Sequence, residues 1–450
     1  MMKAINRDIL KLAVPSILAN ITVPIVGMVD VSVAGHLDAN AATLIGGITI
    51  GTMLFDLLYW NFGALRVSTG GLAAQAFGRK DMRECARIFT RSVGVALGCA
   101  MILLAIQWLF VKAAFLVVDC TPEVQALATQ YFFVRIWAAP ATISLMAFKG
   151  WFIGMQDSVS AMITDFVVNG MNIAISFLLA LGLADGSGGW VIRPIGFTGI
   201  AAGTVVAQWS GLMTAVVLVV VKYRHKVFSD FGAKDVLAAF RGTEIRRFFV
   251  MNTDLFVRSL CFIAIYIGFT TISARYGDLL LAVSSIMMKI LMIFSYFTDG
   301  FAYAGEALTG KYIGAGDRPM LRQTVKWTFI WSMGIAVVFI GIYHFAGVPL
   351  VRMMTSDAAV VEQSKEYLPW LILMPVVGCA AFTWDGIYVG ATASKAIRNA
   401  MLWAVAAFVS VWIVGIRVLP DYAVHVLMAA YFAHLLARTV YLSYRWHLTV

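Results

Sequence analysis

The sequence predicts an all-α polytopic membrane protein, with twelve transmembrane helices in two pseudo-symmetric six-helix bundles around a central cavity. Three observations lead there. The 450 residues are 61% hydrophobic and only 13% charged, with a mean hydropathy of +0.85, whereas soluble domains are about 45–50% apolar and about 25% charged. Apolar runs near the ~20 residues that cross a bilayer as a helix occur twelve times. The last six runs repeat motifs of the first six.

In chain order the runs fall at about 10–35, 42–76, 88–118, 126–149, 158–183, 196–222, 248–274, 279–310, 324–350, 361–390, 396–418 and 421–443. The first carries Pro15, Pro24 and Asp30. A carboxylate inside a span is costly and is usually kept for ion or substrate handling, which makes Asp30 the first candidate for a proton-coupling group. Each proline lacks a backbone donor and marks a hinge at which the helix can bend. Ser16, Asn20, Gly27 and Asp30 share one helical face at about 100° per residue.

The second run sets Asp56, Tyr59, Gly63 and Arg66 on one side, and the fourth contains Arg135. The fifth bears a stripe of Asp165, Asn169, Asn172 and Ser176, expected to line a water-filled cavity, with interhelical hydrogen bonding as the structural alternative. The seventh run opens with Asp254 and Arg258, four apart and able to pair on one face. Lys289, Tyr296, Asp299, Tyr303 and Glu306 form a broad stripe along the eighth, and Asp385 sits in the tenth within FTWDGIYVG. Ionisable groups of both signs inside spans predict a paired network.

The longest polar interval divides the chain into an N-terminal lobe at 1–222, a cytoplasmic linker at 223–247 and a C-terminal lobe at 248–450. Six spans on each side give both lobes the same orientation. GLAAQAFGRKD (71–81) and AGEALTGKYIGAGD (304–317) close the second and eighth spans alike, about 236 positions apart. GWFIG (150–154) after Pro140 likewise matches GIYVG (386–390) after Pro375. Parallel repeats facing each other across a cavity are a recurrent transporter plan, with the binding site near their interface.

The formal charge is +10. With the N-terminus in the cytoplasm, only Lys112, Arg193, Arg275, Arg352, Lys365 and Arg417 fall outside, while Lys149, Arg398, Arg438 and the other loop cations count inside. Both termini are therefore expected in the cytoplasm. The basic charge reads as a topology signal, so no nucleic-acid partner is expected, and a monomer in the lipid bilayer is the default. The cysteines, Cys85, Cys99, Cys120, Cys261 and Cys379, lack metal or redox spacing. The histidines, His36, His225, His344, His425, His434 and His447, are scattered. Gly305 to Lys311 imitates a phosphate loop, but Tyr312 stands where Ser or Thr is required and no strand precedes it. With no HExxH or Cys-His cluster either, the chain reads as a transporter with no cofactor beyond its coupling ion, and not as an enzyme.

These residues resemble the multidrug and toxic compound extrusion (MATE) family, its DinF-like bacterial branch in particular, over essentially the whole chain. The resemblance rests on Pro15 with VGMVDVSVAGHL, GGLAAQAFGRKD, NTDLFVRSL, FTDGFAYAGEALTGKYIGAGD and WDGIYVGA, in that order. It implies a two-lobed, twelve-helix antiporter of the bacterial cytoplasmic (inner) membrane that exports drugs or other small, often cationic and lipophilic, compounds while protons or sodium enter. The family's acid and proline on the first span map to Asp30 and Pro15, and its asparagine on the fifth to Asn172. Ser176 stands where the family often places a second acid, which leaves Asp30 as the main titrating group, with Asn172 and Asn169 as hydrogen-bonding neighbours and Asp165 one turn earlier. Asp385 matches an acid that some relatives use for a cation, with Asp254 as its partner.

Protonation of Asp30 would then compete with the substrate and bend the first helix at Pro15 or Pro24. The alternatives are sodium coupling through Asp254 and Asp385, a lipid-linked precursor flippase, and, from another class, an intramembrane enzyme.

Overall fold

The computed structural model describes residues 2–35, 37, 41–116, 118, 120–185, 190–355 and 357–449; His36 lies outside the described residues. Twelve helices among them are long and apolar enough to cross a membrane. The first, α1 (Met2–Gly35), begins before the apolar run and continues through Pro15 and Pro24 without a break. Its early start follows from Ile5, Ile9, Leu12 and Ala13, which recur at helical spacing and are buried against Phe301, Ala304 and Leu308.

Two spans of the first half carry a jog. α2 (Ala41–Tyr59) passes through a 3₁₀ turn at Trp60–Phe62 into α3 (Gly63–Gly78). After α4 (Met82–Ala114), α5 (Pro122–Arg135) passes through a 3₁₀ turn at Ile136–Ala138 into α6 (Ala139–Gly154). Helix starts follow their capping residues: Asp81 accepts from the Glu84 amide at 2.9 Å and Thr121 caps α5, whose first residue is proline.

α7 (Ser158–Leu181) is followed by a short antiparallel ribbon, β1 (Leu183–Ala184) with β2 (Trp190–Ile192), and then α8 (Phe197–Tyr223). The linker interval contains α9 (Ala233–Ala239) and the first turn of α10 (Thr243–Ala274). The remaining spans are α11 (Asp278–Gly314), α12 (Arg318–Met354), α13 (Ala358–Gly390), α14 (Ser394–Val418) and α15 (Ala423–Thr449).

The repeat seen as letters is also a repeat of packing. Gly150 on α6 lies against the Arg66 carbonyl of α3, and Gly386 on α13 lies against the Ala302 carbonyl of α11. Gly154 faces the Gly70 carbonyl as Gly390 faces that of Glu306, each residue about 236 positions from its counterpart. Where the halves cross, Gly78 of α3 meets the Lys311 carbonyl of α11 and Gly314 of α11 meets the Gln75 carbonyl of α3, a reciprocal contact with no room for a Cβ. Even the turns correspond: Lys80 and Gly316 have φ of 59° and 70°, and Gln156 and Thr392 have 65° and 53°.

The apolar interior falls into one cluster built mainly from α1 to α8, which also takes Phe248 and Leu255 of α10 and Trp384 to Val389 of α13. A second spans Cys261 to Leu435, and the third is the packing of α1 on α11 and α12. All five cysteines are unpaired thiols.

Candidate functional site

Two polar centres lie inside the bundle. The first surrounds Arg135 near the end of α5. Its Nη1 donates to Tyr131 Oη at 3.0 Å and reaches Thr52 Oγ1 at 3.5 Å, and the guanidinium lies 4.8 Å from the Phe55 ring centroid. Its charge acts on Asp30 of α1, Asp56 of α2 and Tyr59. Asp30 Oδ1 is buried without a hydrogen-bond partner among the described residues.

The neighbours expected for Asp30 are elsewhere. Asn169 donates to Thr22 of α1, Asn172 donates to Thr204 of α8 at 2.9 Å, and the Ser176 hydroxyl points to the Ile200 carbonyl at 3.4 Å. The stripe on α7 therefore divides. Asp165 and Asn169 turn toward α6 and α1, whereas Asn172 and Ser176 are buried in the α7–α8 contact. The cause is Gly203, whose missing side chain admits Ser176 against α8. Asp165 receives Lys149 Nζ at 2.6 Å, so Lys149, counted from sequence only as an inside charge, is also a partner between α6 and α7.

The second centre is a cavity of about 310 Å³ between α3, α10, α11 and α13. Trp60, Arg66, Arg258, Phe262, Asp299, Tyr303, Glu306, Phe382 and Asp385 contribute to its wall. Arg66 of α3 bonds Glu306 of α11 at 3.3 Å and lies over the Tyr303 ring at 4.5 Å, joining the two halves. Asp385 accepts from Arg258 Nη2 at 2.9 Å and from Arg438 of α15. Arg438 is fully buried and flanked by the Phe262 ring at 4.8 Å. Asp299 faces the charges of Arg66, Arg258 and Arg438, and it forms no ion pair within 4.0 Å among the described residues.

Three sequence expectations for this half are corrected. Asp254 does not pair with Arg258 or share a site with Asp385: it takes Arg398 at 2.6 Å and the Ser394 hydroxyl at 2.7 Å. One helical turn separates Asp254 from Arg258 in sequence, but α14 offers the first a closer cation and α13 offers the second a closer acid. The two carboxylates are thus engaged by different guanidinium groups, Asp254 by Arg398 and Asp385 by Arg258 and Arg438. Lys289 is exposed on α11, outside the network. Arg398 and Arg438, counted from sequence only as topology charges, also serve as ion-pair partners, of Asp254 and Asp385 respectively.

Asn20, buried at 7% exposure, donates to the Tyr296 carbonyl at 3.4 Å, a contact between α1 and α11. His434 is buried within α15, packed 4.6 Å from the Tyr431 ring, and Trp370 donates to His425 Nδ1 at 2.9 Å. Sequence reasoning placed the acids in spans but missed Lys149, Arg398 and Arg438 as their partners. The available signal was the converse of the cost rule: a buried acid requires a base.

With this geometry established, comparison with known proteins is specific. The family model described as MatE matches residues 15–178 and 255–416. DNA damage-inducible protein F of Escherichia coli (strain K12) is 30% identical, over 98% of this chain and 92% of its own. A probable multidrug resistance protein NorM of Photorhabdus laumondii is 22% identical over 91% of this chain and 86% of its own. Among solved structures, a MOP superfamily transporter from Pyrococcus furiosus superposes with a TM-score of 0.79 at 15% identity, covering 99% of this chain and 95% of its own.

Proposed function

Since this chain belongs to the MatE family, we propose that it is a secondary antiporter of a bacterial cytoplasmic membrane, exporting small organic compounds in exchange for protons. The observation that carries the reading is the charge count of the first centre. Asp30 and Asp56 stand against one guanidinium, Arg135. The surplus acid charge is met by one proton or by one cationic group, and not by both at once, which is the requirement for exchange.

With a proton on Asp30, α1 is free to bend at Pro15 or Pro24, and the substrate is displaced outward. Return to the inward-facing state delivers the proton to the less acidic cytoplasm. The unbroken course of α1 past both prolines corresponds to one end of that movement. The central cavity, with its arginines interleaved with Asp299, Glu306 and Asp385 and walled by Trp60, Phe262 and Phe382, suits an aromatic or cationic compound better than an anionic lipid-linked precursor. Both halves of that cavity come from one chain, so the proposed working unit is the monomer.

The test is dye efflux from proteoliposomes under a proton gradient and a sodium gradient imposed separately, with wild type beside Asp30→Asn and Asp385→Asn. Efflux driven by protons and reduced to background in Asp30→Asn is the expected result. Efflux driven by sodium, or unimpaired in Asp30→Asn, overturns the assignment.

A further inference from the structure

A second cavity, of about 510 Å³, lies at the foot of the first half and is lined by none of the residues of either polar centre. Its wall includes Lys11 of α1, Asp157 and Val159 at the start of α7, Val221 and Lys222 at the end of α8, and Lys226 beyond it. Asp157 is already engaged. It caps α7 by accepting from the Ser160 amide at 3.1 Å, and it takes Lys222 Nζ at 3.0 Å and Tyr223 Oη at 2.9 Å. Burial works against its charge, but the Ser160 hydroxyl and Lys222 hold the carboxyl below the ordinary range, so it stays ionised and balances Lys222.

Lys11 and Lys226 remain. Both are exposed, and neither forms an ion pair within 4.0 Å among the described residues. The cavity therefore presents two unbalanced ammonium groups. Beside them Val221 is 74% exposed and Val159 37% exposed, both within the helices long enough to span the membrane. Two cations beside an uncovered apolar ridge at a span end match the two parts of an acidic lipid, a phosphate and an acyl chain. A zwitterionic headgroup fits less well, because its own ammonium would oppose the lysines. A free anion would leave the valine ridge unused.

We propose that the cavity between the feet of α1, α7 and α8 binds one anionic phospholipid, with its phosphate between Lys11 and Lys226 and an acyl chain along Val221 and Val159. Lys11 stands one turn before Pro15 on the helix that carries Asp30. The lipid thus ties the foot of α1 to α7 and α8, and membrane composition becomes a determinant of how readily α1 moves.

The purified full chain, stripped of lipid, is titrated with phosphatidylglycerol or phosphatidylcholine, and bound lipid is counted by native mass spectrometry. One phosphatidylglycerol per chain is expected. Affinity should fall roughly thirtyfold in Lys11→Gln/Lys226→Gln, the combined effect of two surface cations, and survive in Lys11→Arg/Lys226→Arg and in the control Lys234→Gln/Arg241→Gln. Unchanged binding in the double glutamine variant, or equal binding of phosphatidylcholine, overturns the proposal. Displacement of the lipid by millimolar inorganic phosphate assigns the site to a free anion and overturns it as well. Circular dichroism of each variant shows whether a loss of binding is a loss of fold, and the arginine variant carries the test in that case.

Discussion

Asp385 is held by two guanidinium groups of unequal burial. Arg438 is wholly enclosed, whereas the Arg258 side chain is 19% exposed. Removing one member of a buried pair leaves a charge uncompensated and costs about 3–5 kcal/mol. Arg438→Met should therefore lower the thermal unfolding midpoint in detergent far more than Arg258→Met, whose loss water can partly repair. Asp385→Asn introduced into Arg438→Met should recover part of the loss, and a purely additive double variant would show that the two groups do not interact. At this scale the sequence was readable for acids and poor for bases. A carboxylate within a span stands out because it is expensive there, but Lys149 and Arg438 lie near the ends of their apolar runs and so read as topology charges. The partner of Asp254 comes from α14, and no spacing along one helix predicts a neighbour on another.

Among elements, the crossing of α3 and α11 carries the clearest prediction. A Cβ on Gly78 or Gly314 would run into a backbone carbonyl of the other half, and backbone cannot step aside as a side chain can. Gly78→Ala and Gly314→Ala should each weaken this contact between the halves by a similar amount. Gly98→Ala and Gly170→Ala, whose Cβ positions are open, should be neutral or gain up to about 1 kcal/mol of helix stability. Cysteine pairs placed across the halves and assayed for crosslinking rate would read the difference. The repeat was legible because its glycines recur at a fixed offset. The jogs at Trp60–Phe62 and Ile136–Ala138 were not, since a 3₁₀ turn preserves the apolar pattern on both sides. The ribbon β1–β2 is too short for alternation to show. Symmetry also fails locally: Thr69 bonds Ser92 at 2.8 Å, but the corresponding Gly305 offers Thr328 no hydroxyl, and the Thr328 hydroxyl has no hydrogen-bond partner among the described residues.

For the whole molecule, the linker is an organised strap. Asp235 of α9 takes Arg83 at 2.7 Å and Arg87 at 2.8 Å, and the Arg91 guanidinium donates to the Ala239 carbonyl at 2.7 Å. Hydrogen bonds from Arg83, then Arg87, hold the Asp235 carboxyl well below its ordinary value of 3.8. A depressed acid adds stability above its unfolded value, and that stability is lost as pH falls through the folded value. Relative to an unprotected amide at the same pH, amide exchange in α9 should accordingly stay slow from about pH 7 to about pH 5 and quicken only in stronger acid. Arg83→Gln/Arg87→Gln should make it fast at neutral pH, and slow exchange in that variant would remove the strap. Polarity alone marked this interval as a break between spans, and a seven-residue helix lay below what periodicity resolves.

The reciprocal glycine crossing has a mechanical consequence. Where side chains interlock, one body turns on another only by exchanging rotamers tooth by tooth. Bare peptide against bare peptide has no teeth, so the two halves meet at a smooth bearing, and a tilt there exchanges no rotamers.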